Sequence, residues 1–187
     1  MQIRPKTRML TECAVMIALS AVLSLICVYQ APYGGKVTLG SMVPIVFVCV
    51  NIKDFRFGLL ACFTYSLVQM LLGFAAPPTA TLGYFIAVVF LDYILAFTLI
   101  FVVNPISRLF RNSIVGVGIG TFVAMLCRFL CHFITGILIW GVYAPEGQPV
   151  WLYSLIYNGG YMIPEAVITI LMSTAIFAIL KKQMNVS

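Results

Sequence analysis

Five ionisable side chains stand within otherwise apolar stretches of the sequence: Glu12, Asp92, Arg128, His132 and Glu165. Burying a charge in apolar surroundings is costly unless the charge is paired or solvated, so each group should face protein or water. A carboxylate neutralises a cation or accepts hydrogen bonds, and an imidazole both donates and accepts them. These residue types therefore favour either recognition of a polar ligand or acid–base catalysis.

Two series of polar and aromatic residues have the spacing of one helix face. His132, Gly136 and Trp140 recur every fourth residue, and the glycine leaves a gap between two large side chains. The second series consists of Ser154, Asn158, Tyr161 and Glu165. Close packing of two helices also favours a glycine, so a binding role and a packing role for Gly136 are both open.

The elements that carry these residues are predicted to lie in a membrane. The chain has 187 residues, of which 63% are hydrophobic and only 9% are charged, and its mean hydropathy is +1.10. A soluble domain of this length needs a more polar surface. The net charge of +6 does not indicate nucleic-acid binding, because the basic residues are scattered and form no basic face with interleaved aromatics.

The apolar stretches have lengths suited to helices that cross a bilayer, which requires roughly 20 apolar residues per helix. The candidate segments are 10–30, 37–52, 57–74, 82–103, 114–142 and 152–180. Only short connections separate them, and no polar stretch is long enough for another domain. The sequence therefore predicts an all-α integral membrane protein, a bundle of six transmembrane helices that forms a single domain over residues 1–187.

Lysines and arginines are distributed asymmetrically around these segments. In a six-helix alternation one side receives Arg4, Lys6, Arg8, Lys53, Arg56, Arg108, Arg111, Lys181 and Lys182. The opposite side receives only Lys36. Because cytoplasmic loops carry the excess of positive charge, both termini are predicted to be cytoplasmic. The first apolar run is long enough to span and no A-x-A site follows it, so a cleaved signal peptide is not expected.

In this orientation, polar and aromatic residues of the fourth, fifth and sixth segments fall in or beside the outer half of the membrane. Asp92 contributes a carboxylate, His132 an imidazole and Asn158 an amide, and several aromatic rings accompany them. The face of an aromatic ring attracts a cation, and each contact contributes about 0.5–2 kcal/mol of binding energy, the larger value when water is excluded from the site. This set of groups suits a flat, cationic, nitrogen-rich heteroaromatic ligand better than an anion.

Purely structural roles are open for the same residues. His132 and Asn158 could form hydrogen bonds between helices, and Asp92 could form a buried ion pair with Arg128. Trp140 could belong to the belt of aromatic residues at the membrane interface.

Metal and nucleotide sites are not predicted. Cys127, Cys131 and His132 form an incomplete ligand set, and the six cysteines all fall in apolar runs, so neither a metal nor a disulfide framework is expected. The phosphate-loop pattern GxxxxGK[ST] is absent from the sequence, so any energy from ATP must come from another chain.

Three stretches of the sequence carry a family resemblance. HFITGILIWGVYAPEGQPVWLYSLIYNGGYM (132–162), LDY (91–93) and RMLTECAVMIAL (8–19) resemble the thiamine-specific substrate-binding components of energy-coupling-factor transporters, the ThiT family. The likeness extends over nearly the whole chain, and the stretch 132–162 is specific. Fold, ligand and partners can therefore be stated as expectations from this family.

The resemblance implies which residues bind the vitamin. The positions that match the family's thiamine pocket are Asp92, Tyr93, His132, Gly136, Trp140, Tyr153 and Asn158. A tryptophan that the first outer loop can supply in the family corresponds here to Gly35. Ala14 and Ala18 match the small-residue motif of the first helix by which such components dock their transmembrane partner.

The resemblance also implies a function without catalysis or a cofactor. Such a component captures thiamine with high affinity from outside a prokaryotic cell and lies in the plasma membrane. It then associates with a transmembrane coupling subunit and two cytoplasmic ATPases, which drive release. The alternatives are a subunit for a related pyrimidine or thiazole precursor, and an intramembrane enzyme that uses His132 and Asp92 as acid and base. The enzyme alternative lacks an evident nucleophile.

Overall fold

The computed structural model describes residues 6–52 and 54–186 and shows a mainly helical bundle. Its helices are α1 (Lys6–Leu25), α2 (Val43–Asn51), α3 (Phe55–Gly73), α4 (Leu82–Arg108), α5 (Ser113–Leu138) and α6 (Val150–Val186). A two-stranded antiparallel sheet, β1 (Cys27–Gln30) and β2 (Lys36–Thr38), follows α1 in the chain. Arg4 and Lys53, two of the cations behind the predicted orientation, lie outside the described residues.

Five of these helices, α1, α3, α4, α5 and α6, are long and apolar enough to cross a bilayer. This agrees with the prediction of a helical, multi-pass membrane protein. The remaining helix, α2, has only nine residues. At about 1.5 Å per residue, it is less than half as long as the ~30 Å hydrocarbon core is thick.

The end of the first predicted span and the start of the second form the sheet instead of helix. Tyr29 pairs with Val37, and Gln30 pairs with Lys36. Aromatic and β-branched residues fit a strand well, yet a strand inside a long apolar run has the same mean hydropathy as a helix. The predicted segments 10–30 and 37–52 are therefore wrong in these parts, because periodicity could not separate the two structures.

The short helix α2 is held by α4. Ile45 and Cys49 of α2 are completely buried. The amide of Asn104 donates to the carbonyl oxygens of Cys49 and Ile52, and Arg108 Nη2 donates to Ile52 O at 2.9 Å. The last carbonyls of a helix have no partner within the helix, and in apolar surroundings they must find one elsewhere. These bonds satisfy the C-terminal end of α2 and fix it beside the C-terminal end of α4.

The winding of α4 changes where it carries the predicted acidic residue. Val89–Leu95 is π-helical and lies between α-helical turns. Such π-helical turns are rare and occur frequently at functional sites. Asp92 and the adjacent Tyr93 are both buried there, with 6% and 9% of their surface exposed. The wider turn thus places two neighbouring side chains in the interior of the bundle.

Candidate functional site

A cavity lies among the β1–β2 connection, α3, α4, α5 and α6, and all the predicted binding residues line it. These residues are Asp92, Tyr93, His132, Gly136, Trp140, Tyr153 and Asn158. The cavity has a volume of about 130 Å³, which is about ten times the space that one water molecule requires. The fold therefore brings together around one cavity side chains that are far apart in the sequence.

Asp92 is the centre of a hydrogen-bond network in the cavity wall. Its Oδ1 accepts from the Thr135 hydroxyl and lies 3.0 Å from His132 Nδ1, and its Oδ2 accepts from Trp140 Nε1 at 3.2 Å. Buried carboxylates require such partners, because an unpaired charge in this environment is costly. The network orients both the imidazole and the indole, so that one carboxylate from α4 positions two rings of the wall.

Trp140 lines the cavity from a turn that follows α5, whereas its spacing predicted a position on the same helix face as His132 and Gly136. The helix α5 ends at Leu138, and Trp140 lies on a 3-10 turn, Trp140–Tyr143. His132 and Gly136 do share α5, but the indole is no longer on the same helix face. The bond from its N–H to Asp92 keeps it at the cavity despite the break in the helix.

Arg128 does not form the ion pair with Asp92 that was considered as a structural alternative. Among the residues that the structure describes, its guanidinium is within 4.0 Å of no carboxylate, and it lies over the Phe97 ring, 4.6 Å from the centroid. Within residues 6–52 and 54–186, its Nε and Nη1 lack hydrogen-bond partners, although the residue is only 8% exposed. Asp92 is paired with His132 instead.

Gly136 and Asn158 both line the cavity and hold α5 against α6. A β-carbon at Gly136 would collide with Ser154 Oγ and would lie 3.0 Å from Asn158 Nδ2. Ser154 Oγ donates to Phe133 O at 2.8 Å, and Asn158 Nδ2 donates to His132 O at 3.2 Å. The packing role that was open for Gly136 and the interhelical role that was open for Asn158 are thus both present in the structure.

Aromatic rings from the loops cover one side of the cavity. Tyr33 stacks on Tyr143 with 3.9 Å between centroids, and Tyr143 stacks on Trp140 at 6.3 Å. Tyr33 has a φ of 62°, which is uncommon for a residue with a side chain. At Gly35 a β-carbon would lie 2.6 Å from Tyr161 Cδ1, so this position cannot hold a larger residue without rearrangement. Tyr33, rather than position 35, therefore brings an aromatic ring of this loop to the cavity.

Tyr157 of α6 holds the loop between β1 and β2. Its hydroxyl accepts from the Gly35 N–H at 3.2 Å and donates to Pro32 O. Tyr153, one turn earlier, stacks on Tyr157 with 5.8 Å between centroids. The predicted residue Tyr153 thus belongs to an aromatic series that continues from the helix to the loop.

Tyr93 contributes its ring to the cavity and uses its hydroxyl to fix the loop after α3. The hydroxyl donates to Gly73 O at 2.9 Å and accepts from the Ala75 N–H at 2.7 Å. A tyrosine hydroxyl has a single proton to donate. Tyr93 therefore offers a ligand its ring and at most one further acceptor position.

Several residues that line the cavity were not predicted to bind the ligand, among them Thr135, Tyr157 and Tyr33. Thr135 follows His132 by three residues and Tyr157 follows Tyr153 by four, so helical spacing could have identified both. The position of Tyr33 had no comparable signal, because it depends on the folding of the β1–β2 connection.

Two further predictions do not concern this cavity. One is a partner-docking surface on α1, and the other is that the chain holds no metal site. Ala14 and Ala18 are exposed on α1 and are not among the residues that line the cavity. In ranges 6–52 and 54–186, no group of three or more His, Cys, Asp or Glu residues is arranged to hold a metal ion.

Comparisons with known proteins relate the chain to a family of transporters. Residues 10–186 match the family model described as thiamine transporter protein (Thia_YuaJ). The thiamine transporter ThiT of Bacillus subtilis (strain 168) is 32% identical over 185 residues, which cover 90% of this chain and 89% of that protein. The thiamine transporter ThiT of Lacticaseibacillus paracasei is 37% identical over 93 residues, 43% of this chain and 44% of that protein.

A solved structure of ThiT from Listeria monocytogenes shares the fold, with a TM-score of 0.71, 24% identity and 95% of each chain covered. The curated relatives are named as transporters, which agrees with the prediction that the chain is not an enzyme. The resemblance seen in 8–19, 91–93 and 132–162 is confirmed by the match over most of the chain, and the chain belongs to the thiamine transporter protein family.

Proposed function

We propose that this chain is the thiamine-binding subunit of an energy-coupling-factor uptake transporter in the plasma membrane of a prokaryote. It binds thiamine from the outer side with high affinity in the cavity described above. The observation that carries this proposal is the buried Asp92 carboxylate, bonded to Trp140 and paired with His132 in the cavity wall. A desolvated carboxylate beside aromatic faces suits a cationic heteroaromatic ring.

Unsatisfied polar atoms in the cavity support a ligand with several hydrogen-bonding groups. Within the described part of the chain, His132 Nε2, Arg128 Nε and Nη1, and Gln69 Nε2 are buried without partners, and all three side chains line the cavity. Leaving such a group unpaired costs about 1–3 kcal/mol. Thiamine carries an amino group, ring nitrogens and a hydroxyl in addition to its cationic ring, so it can pair with several of them.

The predicted binding residues take different roles in this proposal. Asp92 neutralises the charge of the thiazolium ring, and Trp140 and Tyr153 provide aromatic faces. His132 presents Nε2 to the ligand, because its Nδ1 is directed at Asp92. The other wall residues are Tyr93, Gly136 and Asn158.

We infer that the chain crosses the membrane six times with both termini in the cytoplasm. Hydrogen bonds place Arg108 beside Ile52, and Lys181 beside Ser113, which supports one common end for α2, α4, α6 and the start of α5. Basic residues concentrate at that end, as in cytoplasmic loops. The sheet and α2 together then return the chain across the membrane between α1 and α3.

Transport in this proposal depends on partner subunits. After thiamine binds, the exposed face of α1 around Ala14 and Ala18 docks onto a transmembrane coupling subunit, and two cytoplasmic ATPases supply the energy for release. Small residues four positions apart allow close approach of two helices. Because this chain has no phosphate loop, hydrolysis is assigned to those partners.

Calorimetric titration of the purified full-length protein tests the ligand. We expect tight binding of thiamine, weak binding of hydroxymethylpyrimidine and no binding of riboflavin, without consumption of thiamine. Tight binding of the pyrimidine with no response to thiamine would make the chain a subunit for a precursor. Consumption of thiamine during the titration would contradict the assignment as a transport subunit.

Trp140→Ala is expected to lower the affinity for thiamine by more than about tenfold. The change removes an aromatic face from the cavity and leaves Asp92 without one of its donors. Trp151→Ala is the matched control, because Trp151 is the only other tryptophan of the chain and is 54% exposed. Equal affinities of the two variants in the same titration would assign Trp140 to a structural role.

A further inference from the structure

We propose that the cavity also accepts thiamine monophosphate and that Lys36 binds its phosphate group. This inference rests on the proposed function, since it takes the thiamine ring system as the ligand. It extends the substrate class from the free vitamin to its phosphate ester. It also assigns a specificity-determining role to a residue of β2 that is not among the predicted binding residues.

The first support is a lysine whose charge is not compensated by a carboxylate. Lys36 is half-buried and lines the cavity from β2. Within residues 6–52 and 54–186, its ammonium forms no ion pair. An ammonium has three N–H donors and no acceptor, and lysine binds phosphate groups as a compact positive charge. The cavity therefore offers a positive charge to an anionic group of the ligand.

The second support is another donor on the same side of the cavity. Gln69 of α3 lines the cavity, and in the described part of the chain its Nε2 is buried without a hydrogen-bond partner. Lys36 Nζ lies beside Gly73, where an added β-carbon would be 3.3 Å from it. Gly73 follows Gln69 by four residues on α3, so both lie on one helix face, about 6 Å apart along the axis. The ammonium and the amide can therefore donate to different oxygens of one phosphate.

The third support is the balance of charge in the cavity wall, which favours a ligand with a positive and a negative group. Glu165 accepts hydrogen bonds from the N–H and the hydroxyl of Thr38 and interacts electrostatically with Arg128, so these two opposite charges compensate each other. Asp92 is then left for the cationic ring, and Lys36 is left for an anion. Free thiamine carries only the positive charge, whereas its monophosphate carries both. A phosphate at Lys36 also offsets the repulsion between this lysine and the thiazolium ring.

The fourth support is the short path from Asp92 to Lys36, which one tyrosine side chain bridges. Tyr93 is adjacent to Asp92 in the sequence, and its hydroxyl donates to Gly73 O at 2.9 Å. Lys36 Nζ lies beside the same glycine. In thiamine monophosphate, a two-carbon chain and an ester oxygen join the phosphate to the cationic ring. With that ring beside Asp92, the chain follows the Tyr93 ring and places the phosphate at Lys36.

The test compares wild type with Lys36→Met in calorimetric titrations of the full-length protein with thiamine and with thiamine monophosphate. For wild type, the two affinities are expected to lie within roughly tenfold of each other. Lys36→Met should bind the phosphate ester at least about tenfold more weakly than wild type, because a charge-assisted hydrogen bond is lost. It should not weaken thiamine binding, because it removes a positive charge from a cavity that takes a cation. The readout is therefore the selectivity between the two ligands.

Two variants and one further ligand serve as controls. Lys36→Arg keeps the charge and should retain binding of the ester. Lys182→Met removes a lysine from the exposed end of α6 and should equal wild type for both ligands. Inorganic phosphate should leave the affinity of wild type for thiamine unchanged, because only a phosphate tethered to the ring has a high effective concentration at Lys36.

Several outcomes would overturn the inference. Equal losses for thiamine and the ester in Lys36→Met would make Lys36 a structural residue at the end of α3, where the negative end of a helix attracts a cation. Unchanged affinity for the ester in this variant would refute the subsite. Inorganic phosphate that strengthens thiamine binding by wild type, and not by Lys36→Met, would assign the site to free phosphate. If Lys36→Met does not fold, Lys36→Gln replaces it with the same expectations.

Failure of the proposed function gives a different result. If wild type binds neither thiamine nor its phosphate ester, the ligand assignment is wrong. If wild type binds thiamine tightly and the ester more than roughly a thousandfold more weakly, only the Lys36 subsite is wrong.

Discussion

Asp92→Asn is expected to lower the affinity of the purified protein for thiamine by more than about tenfold, the largest loss among the binding residues. The amide carries no charge, so the attraction to the thiazolium ring is lost. Asparagine also has one acceptor oxygen, whereas the carboxylate now serves Thr135, His132 and Trp140. At least one of these donors is left unpaired, and the orientation of the two rings in the cavity wall is lost with it.

The control for this prediction is Glu146→Gln, which removes the same charge from an exposed loop position. It should bind thiamine like wild type. A neutral analogue of thiamine, in which the cationic ring is replaced by an uncharged one, separates the two effects of Asp92→Asn. The variant should discriminate less than wild type between thiamine and this analogue. Wild-type affinity in Asp92→Asn would return Asp92 to a structural role.

Ala14→Trp and Ala18→Trp are expected to abolish thiamine uptake while thiamine binding is unchanged. Both alanines are exposed on α1 and neither lines the cavity. An indole on this face prevents the close approach of another helix, which small residues permit. Uptake of labelled thiamine is measured in vesicles that contain the coupling subunit and the ATPases, and binding is measured on the isolated chain.

Leu171→Trp provides the matched control for these variants. Leu171 is exposed on α6, so the change adds an indole of the same size to another outer face of the bundle. It should retain uptake. If both alanine variants also retained uptake, the docking surface would lie elsewhere, and the ligand assignment would be unaffected.

Most of the predicted residues that line the cavity could be identified because polar and ionisable side chains are unfavourable in apolar segments. An ionisable group such as Asp92 or His132 in an apolar run is costly, so it must face a partner or a cavity. Helical spacing then connects His132 with Gly136, and Ser154 with Asn158. The structure places Asp92, His132 and Asn158 at one cavity, and their contact with thiamine stays a prediction that the titrations test.

The partners of these residues were less predictable. Asp92 was considered as a partner of Arg128, and the structure pairs it with His132. Either arginine or histidine can donate a hydrogen bond to a buried carboxylate, and the choice depends on the wider turn at Val89–Leu95, which composition does not reveal. The 3-10 turn of Trp140 and the stacking of Tyr33 on Tyr143 likewise depend on contacts between distant segments.

Hydropathy and charge in the sequence alone determined the membrane class, the multi-helix architecture and the residues that could not face lipid, because each follows from the local cost of placing a side chain in hydrocarbon. Only the tertiary structure decided that residues 27–30 and 36–38 pair as strands and that α2 is too short to span. It also decided that Arg128 has donors without partners among the residues that the structure describes. These features depend on which backbone and side-chain groups meet across the bundle, and an apolar run has the same hydropathy whether it faces lipid or protein.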